Sequence, residues 1–436
     1  MLITYLNLST RFSDGPSPRT GAAVKALRIC ALLACAAIVG CQTPAPAPPP
    51  ERPVASVAAV SFDKAIDFAV DDLLIQAQRL PEFQPAAPAS GVAAAFKKDQ
   101  PAAPKVRIIV DNALDGVTGQ QNVATRALDS RLLAGIVARF PAFQVSPISS
   151  GDLASARFIL TTTVTMLERG QGKAASYRLN FSLTDSRSGI VVAQASAQAT
   201  GDTVDTTPTA FYRDSPSLVK DRTVEGQIRT AQTPVGTAAD GVYLSSLSVA
   251  ALISEGSRLY EATQYAEALA VYEAAAARPD GKHLRVYNGL YLSNIQLGRL
   301  DGAEQAFARL VLLGLATNSL SVKFLFRPGS TDFWPDPKIN TFYPMWIRVV
   351  AREAIVTKTC ITVTGHTSRT GSDQANERLS LARAVSIQRR LEAAAPEMFG
   401  RLQANGQGFR ENLVGTGSDD AGDALDRRVE FKVRAC

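Results

Sequence analysis

Hydrophobic positions recur with different periods along the 436-residue chain, and each change of period marks a new segment. Residues 61–80 carry apolar side chains at steps of three and four, which predicts an amphipathic helix. A strand-like run at 105–111 precedes a second helical pattern at 121–140. Four strand-like segments follow, two of them joined by the turn signal DSRSG at 185–189. These elements predict an α/β or α+β unit over 61–200.

The second helix of this unit is expected to bury one side. The apolar residues expected on that side are Val123, Leu128, Leu132, Leu133 and Ile136. Residues 201–245, rich in Thr, Asp, Gly and Ser, are expected to form a linker or a long loop.

From 246 to 317 the pattern is helical, and small and aromatic residues recur in it. Their spacing resembles two tetratricopeptide repeats, and the positions are Gly256, Tyr260, Tyr265, Ala268, Tyr272, Ala275, Gly298, Leu300, Ala303 and Phe307. An unrelated helical linker is the alternative. Two repeats rarely stand alone, so we expect this pair to pack against a neighbouring domain.

The last segment, residues 318–436, alternates between strand and helix patterns. The predicted elements are a strand at 321–333, a helix at 343–356, a strand at 360–367 and a closing strand at 427–433. The 360–367 strand leads directly into GHTSRTGSDQANERLSLARA, in which small, polar and charged residues precede a helical pattern.

Composition and charge exclude some classes of function but say little about the fold. The chain has 46 basic and 40 acidic residues, but four of the basic residues lie within the first 40, so the remainder is nearly balanced. There is no block of five Lys or Arg residues, so nucleic acid is not an expected partner. With two histidines and no HExxH or CxxC spacing, neither a metal centre nor a cofactor is expected.

The N-terminal region has the pattern of an export signal. Lys25 and Arg28 precede a twelve-residue apolar run that is too short to span a bilayer and ends in IVGC at Cys41. This end resembles a bacterial lipoprotein signal, in which Cys41 would be acylated; Cys35 is the weaker alternative. Residues 1–40 are therefore expected to be a signal peptide, although the first ~23 residues do not fit one and the true start stays open.

Residues 41–60 are expected to form a Pro-rich tether, because QTPAPAPPPERP cannot continue a helix and favours an extended chain. The residue after Cys41 is Gln rather than Asp, which resembles the default sorting of such lipoproteins to the outer membrane. The expected location is the periplasmic face of the outer membrane, held there by a lipid anchor.

Two stretches resemble known families. In 61–200, a strand ending in Asp-Asn, a long helix and the LTDSRSGIVVA hairpin resemble LpoB-type activators of penicillin-binding proteins and the related CsgG group. The alternative is a generic periplasmic α/β sandwich. In 318–436, GHT, N..LS..RA and RRVE resemble the peptidoglycan-binding family of the OmpA C-terminal domain, Pal and MotB. That resemblance implies a βα sandwich that binds the diaminopimelate of peptidoglycan stem peptides.

The C-terminal motifs single out five residues for peptidoglycan binding: Ser368, Asp373, Asn376, Arg383 and Arg427. Ser372 or Asp373 is the expected N-cap of a helix whose terminus attracts anions. Seven residues separate Asn376 from Arg383, so a helix places both on one face, where the arginine can hold a carboxylate. His366 is expected to have a structural role, because no nucleophile–base grouping accompanies it.

The chain departs from the family at Ser368, where relatives have the Asp of GHTD. A hydroxyl supplies no charge to the ligand's ammonium, so either binding is weakened or another acid substitutes. Asp373 is the closest acid in sequence. Asp419, Asp420 and Asp426 are the others, and Asp426 itself replaces the Asn that relatives have before the two arginines.

A disulfide between Cys360 and Cys436 is expected in an oxidising periplasm, because only these two thiols remain after processing at Cys41. Both cysteines are out of phase with the core residues of their strands, which in the closing strand are expected to include Val433 and Ala435. The resemblance implies antiparallel pairing of these strands, which would bring the cysteines together. Two unpaired thiols are the alternative.

We therefore expect a modular protein with an N-terminal α/β sandwich, a tetratricopeptide-like helical pair and a C-terminal OmpA-like βα sandwich. The expected function is that of a non-enzymatic outer-membrane lipoprotein that binds peptidoglycan and tethers the envelope. The alternative is a regulator or assembly factor of an envelope synthase or secretion complex, which wall binding only positions. That alternative requires an envelope protein partner.

Overall fold

Two sheets and a set of helices make up the described part of the chain. The computed structural model describes residues 59–83, 106–167, 175–201, 204–335, 337–413 and 425–436. The expected signal peptide, Cys41, most of the tether, Asp419 and Asp420 lie outside these residues. Among the described residues, no helix has both the length and the apolar character needed to cross a membrane.

The N-terminal sheet is covered on one face by two amphipathic helices. Its elements are α1 (Phe62–Ala77), β1 (Val106–Val110), β2 (Leu114–Asp115), α2 (Val123–Arg139), β3 (Phe143–Pro147), α3 (Ser150–Leu153), β4 (Phe158–Leu167), β5 (Ser176–Asp185) and β6 (Val191–Thr200). The strand order is β3-β1-β4-β5-β6, with β2 also on β4; β3, β1, β2 and β4 run parallel, and the pairs β4-β5 and β5-β6 are antiparallel. Helices α1 and α2 bury their apolar stripes on this sheet.

The predicted helix–sheet pattern of this unit is confirmed, with one correction. The hairpin between β5 and β6 turns at DSRSG as predicted. Val123 was expected on the buried side of α2, but it is the first residue of the helix and is 46% exposed. The cap is Asn122, whose side chain accepts from the Thr125 N–H at 2.9 Å while the Thr125 hydroxyl accepts from the Asn122 N–H.

Residues 201–245 differ from the expected linker. They contain α4 (Ala210–Arg213), α5 (Arg222–Ala231) and α6 (Gly241–Ser245), which pack against their neighbours. The Tyr243 hydroxyl, fully buried, donates to the Asp111 carboxylate at 2.7 Å, and Asp221 accepts from the N–H of Leu284 at 3.2 Å. Two of the Asp residues that suggested a loop are helix caps, since Asp221 and Asp240 accept from the first N–H groups of α5 and α6.

Seven helices and a second sheet complete the described part of the chain. They are α7 (Leu247–Glu261), α8 (Tyr265–Ala276), α9 (Leu284–Gln296), α10 (Leu300–Ala316), β7 (Leu320–Val322), α11 (Pro337–Asn340), α12 (Tyr343–Val356), β8 (Cys360–Gly365), α13 (Asp373–Ala394), β9 (Leu402–Gly406) and β10 (Val429–Arg434). The sheet order is β7-β10-β8-β9, in which only the β8-β9 pair is parallel. The strand predicted at 321–333 is reduced to β7 and an isolated bridge between Phe326 and Phe333.

One hydrophobic core joins the helices α7 to α10 to this second sheet. Trp346 of α12 donates its indole N–H to the Tyr291 hydroxyl of α9 at 2.9 Å, and its ring lies 5.8 Å from that of Phe307 in α10. The same core contains Phe324 and residues of β8 and β10. The described residues from 59 to 436 accordingly form one compact unit, in which aromatic side chains of the helices and of the second sheet fill the same interior.

A disulfide closes the second sheet. Strands β8 and β10 are antiparallel with Cys360 opposite Arg434, so the chain end reaches the start of β8. Cys360 and Cys436 are bonded, with their Cα atoms 5.2 Å apart. Val433 and Ala435, expected to face the core, are exposed instead, and Val433 is 40% exposed, because none of the described helices covers this end of β10.

Breaking this bond is expected to lower the free energy of unfolding by about 2–4 kcal/mol, since the disulfide closes a loop between residues 76 apart. Thermal unfolding of the oxidised chain should shift to lower temperature on adding reductant. A Cys360→Ser/Cys436→Ser variant should melt at the reduced temperature and not respond to reductant. Equal melting of oxidised and reduced wild type would contradict a stabilising role.

Candidate functional site

The site is built where α13 crosses two strands at unusually close range. Gly365 of β8 and Gly406 of β9 are register partners in the parallel pair. A Cβ on Gly365 would overlap the carbonyl oxygen of Ser380, and one on Gly406 would lie 2.7 Å from its hydroxyl. The Ser380 hydroxyl is fully buried and accepts from the Gly408 N–H at 2.9 Å. Two glycines and a serine thus set the height and direction of the helix over the sheet.

Arg383 lies three residues beyond this contact and is 1% exposed. Its Nε donates to the Ser330 carbonyl and its Nη2 to the Arg327 carbonyl, each at 3.1 Å. The guanidinium carbon lies 5.1 Å from the centroid of the Phe326 ring. The arginine lies ten residues after the first residue of α13, where the carbonyl groups of the 327–330 loop accept its hydrogen bonds.

Ser368 and Asn376 meet through a turn that precedes the helix. The Ser368 and Thr370 hydroxyls are 3.1 Å apart, and the Asn376 side-chain amide donates to the Thr370 carbonyl at 2.9 Å. Both Ser368 and Asn376 are buried, at 5% and 4% exposure. Gly371, with a φ of +95°, allows the chain to reverse between them. The structure therefore brings these two predicted residues together around Thr370.

Asp373 is exposed at the first position of α13. Of the two candidates, Ser372 and Asp373, the N-cap is Ser372, whose hydroxyl accepts from the Ala375 N–H at 3.3 Å.

Asp426, the second departure from the family pattern, has a structural partner. Its carboxylate accepts from the Leu413 N–H at 2.6 Å and from the Asn412 side chain at 3.0 Å, and it is fully buried. It holds the chain before β10 to the 412–413 segment. Arg427 follows it and is also buried, at 7% exposure.

His366 is buried among charged side chains at the end of β8. Its ring nitrogens lie 4.0 Å from a Glu411 oxygen and 3.9 Å from a Glu430 oxygen, beyond hydrogen-bonding distance. Burial, with the Arg428 guanidinium adding to it, lowers the pKa of His366 to about 4. The imidazole is 1% exposed and neutral at pH 7, which agrees with a structural role.

These three side chains, His366, Glu411 and Glu430, are close enough to hold a cation between them. Glu430 is already paired with Arg428 at 2.8 Å and with Lys432 at 3.4 Å. Two positive side chains therefore balance the two carboxylates, which leaves these side chains with no net negative charge to attract a divalent ion.

The 326–333 loop is the part of the site that the sequence did not indicate. The alternation of Phe324 and Phe326 was interpreted as a strand, yet Phe326 instead lies against Arg383, and the loop supplies backbone carbonyls. Backbone acceptors leave no side-chain signal in a sequence. Only the RPGS turn, with Gly329 at a φ of +64°, marked the place.

We expect His366 to make the protein less stable in acid. Its folded-state pKa of about 4 lies below the ordinary 6.5, so between these values the unfolded chain binds the proton and the folded chain does not. Stability should therefore fall as the pH drops from 6.5 to 4, by up to about 3 kcal/mol. Chemical unfolding at several pH values should show a shallower decline for His366→Gln; identical slopes would contradict this assignment.

Comparison with known proteins points to one family for this region. Residues 325–424 match the OmpA family. The cell wall anchor of the T6SS from Pseudomonas aeruginosa is similar at 27% identity over 27% of this chain and 80% of that one, with a TM-score of 0.22. The peptidoglycan-associated lipoprotein of Burkholderia pseudomallei is similar at 21% identity, over 26% of this chain and 89% of that one, with a TM-score of 0.21.

The periplasmic domain of Helicobacter pylori MotB (residues 90–256) is similar at 19% identity, over 27% of this chain and 74% of that one, with a TM-score of 0.21. The comparison with curated proteins gives no significant match. The family match covers the close contact of Gly365 with α13, the Arg383 loop and the Ser368 turn. The C-terminal region of this chain is therefore an OmpA-family domain.

Proposed function

We propose that this chain is a non-enzymatic outer-membrane lipoprotein that binds peptidoglycan non-covalently through its C-terminal domain and thereby tethers or scaffolds the envelope. The observation that carries the proposal is the OmpA-family match over residues 325–424, which includes Ser368, Asn376 and Arg383. The ligand of the proposed site is the diaminopimelate residue of a stem peptide, which carries a carboxylate and an ammonium.

Arg383 is the residue proposed to bind the carboxylate. Two of its N–H groups donate to neutral carbonyl oxygens of the 327–330 loop. A carboxylate makes shorter and stronger bonds to a guanidinium than a carbonyl does, so a ligand oxygen that replaced one carbonyl would gain energy. The proposal therefore includes a small displacement of the loop at Ser330 when the ligand binds.

Ser368 is proposed to accept from the ligand's ammonium, with Asn376 and the Thr370 carbonyl shaping the turn beside it. Arg427 and Asp373 are proposed to complete the site, Arg427 as a buried positive charge and Asp373 as an exposed negative charge at the start of α13. A hydroxyl gives a weaker bond to an ammonium than a carboxylate gives, so this site should bind more weakly than one with Asp at 368.

Membrane attachment is proposed through acylation of Cys41, because the apolar run before it and the Pro-rich stretch after it fit a lipoprotein signal and a tether. A Cys41→Ser variant that stayed in the membrane fraction would contradict this attachment.

A regulator or assembly factor remains the second candidate function, favoured by the outer face of α1. Phe68 and Ile75 are seven residues apart on that helix, so they lie on one face of it, and they are 54% and 48% exposed. The N-terminal part would then bind an envelope protein, and the wall site would position it. Recovery of an envelope enzyme with the full chain, independently of wall binding, would favour this function.

Replacing Arg383 by Ala is expected to lower binding to purified sacculi about tenfold or more, as for a lost charge-assisted contact of ~1.4 kcal/mol or more. Arg383→Lys keeps the charge but loses the two-pronged geometry, so it should give an intermediate loss. Arg401→Ala, which removes the same charge before the start of β9, is the matched control. Because Arg383 is buried, thermal melting must show that each variant folds; a folded Arg383→Ala with unchanged binding rejects the site.

Replacing Ser368 by Asp is expected to tighten sacculus binding, because it supplies a charge to the ligand's ammonium. Position 368 is buried, so the unliganded variant should also be less stable than wild type. Ser368→Asn, of similar size but neutral, is the control and should not tighten binding. Weaker binding of Ser368→Asp would mean that another acid already serves the ammonium, and Asp373→Asn would then be the next variant to measure.

A further inference from the structure

A groove on the outer side of α13 is lined by arginines, and none of the described residues that line it is acidic. Its volume is about 690 Å³, and it is bounded by Thr331 on one side. Along the helix, Arg378, Ala382, Val385 and Arg389 follow one another at steps of four, three and four, so they form a single stripe. The stripe is about 16 Å long, since eleven steps of about 1.5 Å each separate Arg378 from Arg389.

The charges in this groove are not neutralised by the described part of the protein. Arg378, Arg389 and Arg390 are all exposed, and none forms an ion pair with a described acidic residue. By contrast, nearby Arg410 is paired with Glu377 at 2.9 Å. The Arg390 guanidinium lies 4.5 Å from the centroid of Phe333, which fixes it at the end of the groove.

Between the arginines the floor is apolar. Leu381, 43% exposed, Ala382 and Val385 line it. A ligand that fits must therefore carry separated negative charges with small apolar groups between them. A peptide that alternates carboxylates with alanine methyl groups has this chemistry, and peptidoglycan stem peptides are of this kind.

The groove borders the 327–330 loop that contacts Arg383. Thr331, which lines the groove, directly follows Ser330, whose carbonyl accepts from Arg383. The groove arginines lie on the same helix, one to two turns before and after Arg383. A stem peptide bound at Arg383 would thus have the groove beside it.

We infer that this groove is a second subsite for peptidoglycan, which binds carboxylates of stem peptides other than the one held at Arg383. The inference rests on the proposed function, because it takes the wall as the ligand of the domain. The arginines would supply long-range, salt-sensitive attraction, whereas the buried Arg383 would supply the specific contact. Such a subsite would partly compensate for the missing Asp at position 368.

The test compares charge reversal in the groove with the same change elsewhere, in the full chain. Arg378→Glu/Arg389→Glu should lower binding to purified sacculi about tenfold at low salt. The control Arg187→Glu/Arg258→Glu reverses two exposed charges outside the C-terminal domain and should change binding less than about twofold. Arg378→Gln/Arg389→Gln should lie between wild type and the Glu variant, which separates lost attraction from added repulsion.

Two further measurements separate the groove from Arg383. Binding of free diaminopimelate should be lost in Arg383→Ala and retained in Arg378→Glu/Arg389→Glu. Raising salt from about 50 to about 500 mM should weaken sacculus binding of wild type more than that of the groove variant.

Each contrary result has a distinct meaning. Wild-type chain that does not bind sacculi overturns both the proposed function and this inference. Sacculus binding that depends on Arg383 but not on Arg378 and Arg389 overturns the inference alone. Groove-dependent binding to phosphatidylglycerol vesicles, with sacculus binding unchanged in the groove variant, would also overturn it, since the arginines would then serve a membrane surface.

Discussion

The close contact of Ser380 with the glycine pair Gly365 and Gly406 is the constraint on which the C-terminal domain depends. Side chains at either glycine would separate α13 from the sheet. The helix could then no longer place its inner residues, Asn376 and Arg383, at their present depth. Because a helix is rigid over several turns, one contact of backbone against backbone fixes side chains both before and after it.

Arg383, three residues beyond this contact, is a charged residue that is almost fully buried. An arginine removed from water needs hydrogen bonds, and the loop before α12 supplies them through the carbonyls of Arg327 and Ser330. The aromatic ring of Phe326 covers the guanidinium face. These contacts hold the 327–330 loop against Arg383 at the edge of the groove.

Much of the C-terminal domain could be predicted because its signals are local. The α12 and α13 patterns, the antiparallel closing strand and the meeting of Cys360 with Cys436 follow from periodicity, phase and a family resemblance. The environment of Arg383 could not be predicted, since its partners are backbone carbonyls more than fifty residues away in sequence. The 201–245 segment was misleading for a related reason: Asp favours helix caps as well as loops, and only packing decides between them.

The shared aromatic core has a mechanical consequence that separate modules would not have. Trp346 joins α12 to α9 and α10 by a hydrogen bond and ring contacts, and Tyr243 and Asp221 join the intervening helices to the N-terminal sheet and to α9. A wall ligand held by α13 would therefore act on a continuous packed body, not on a domain at the end of a flexible linker. Within that body the orientation of the N-terminal part follows from the orientation of α13, as the proposed scaffold function requires.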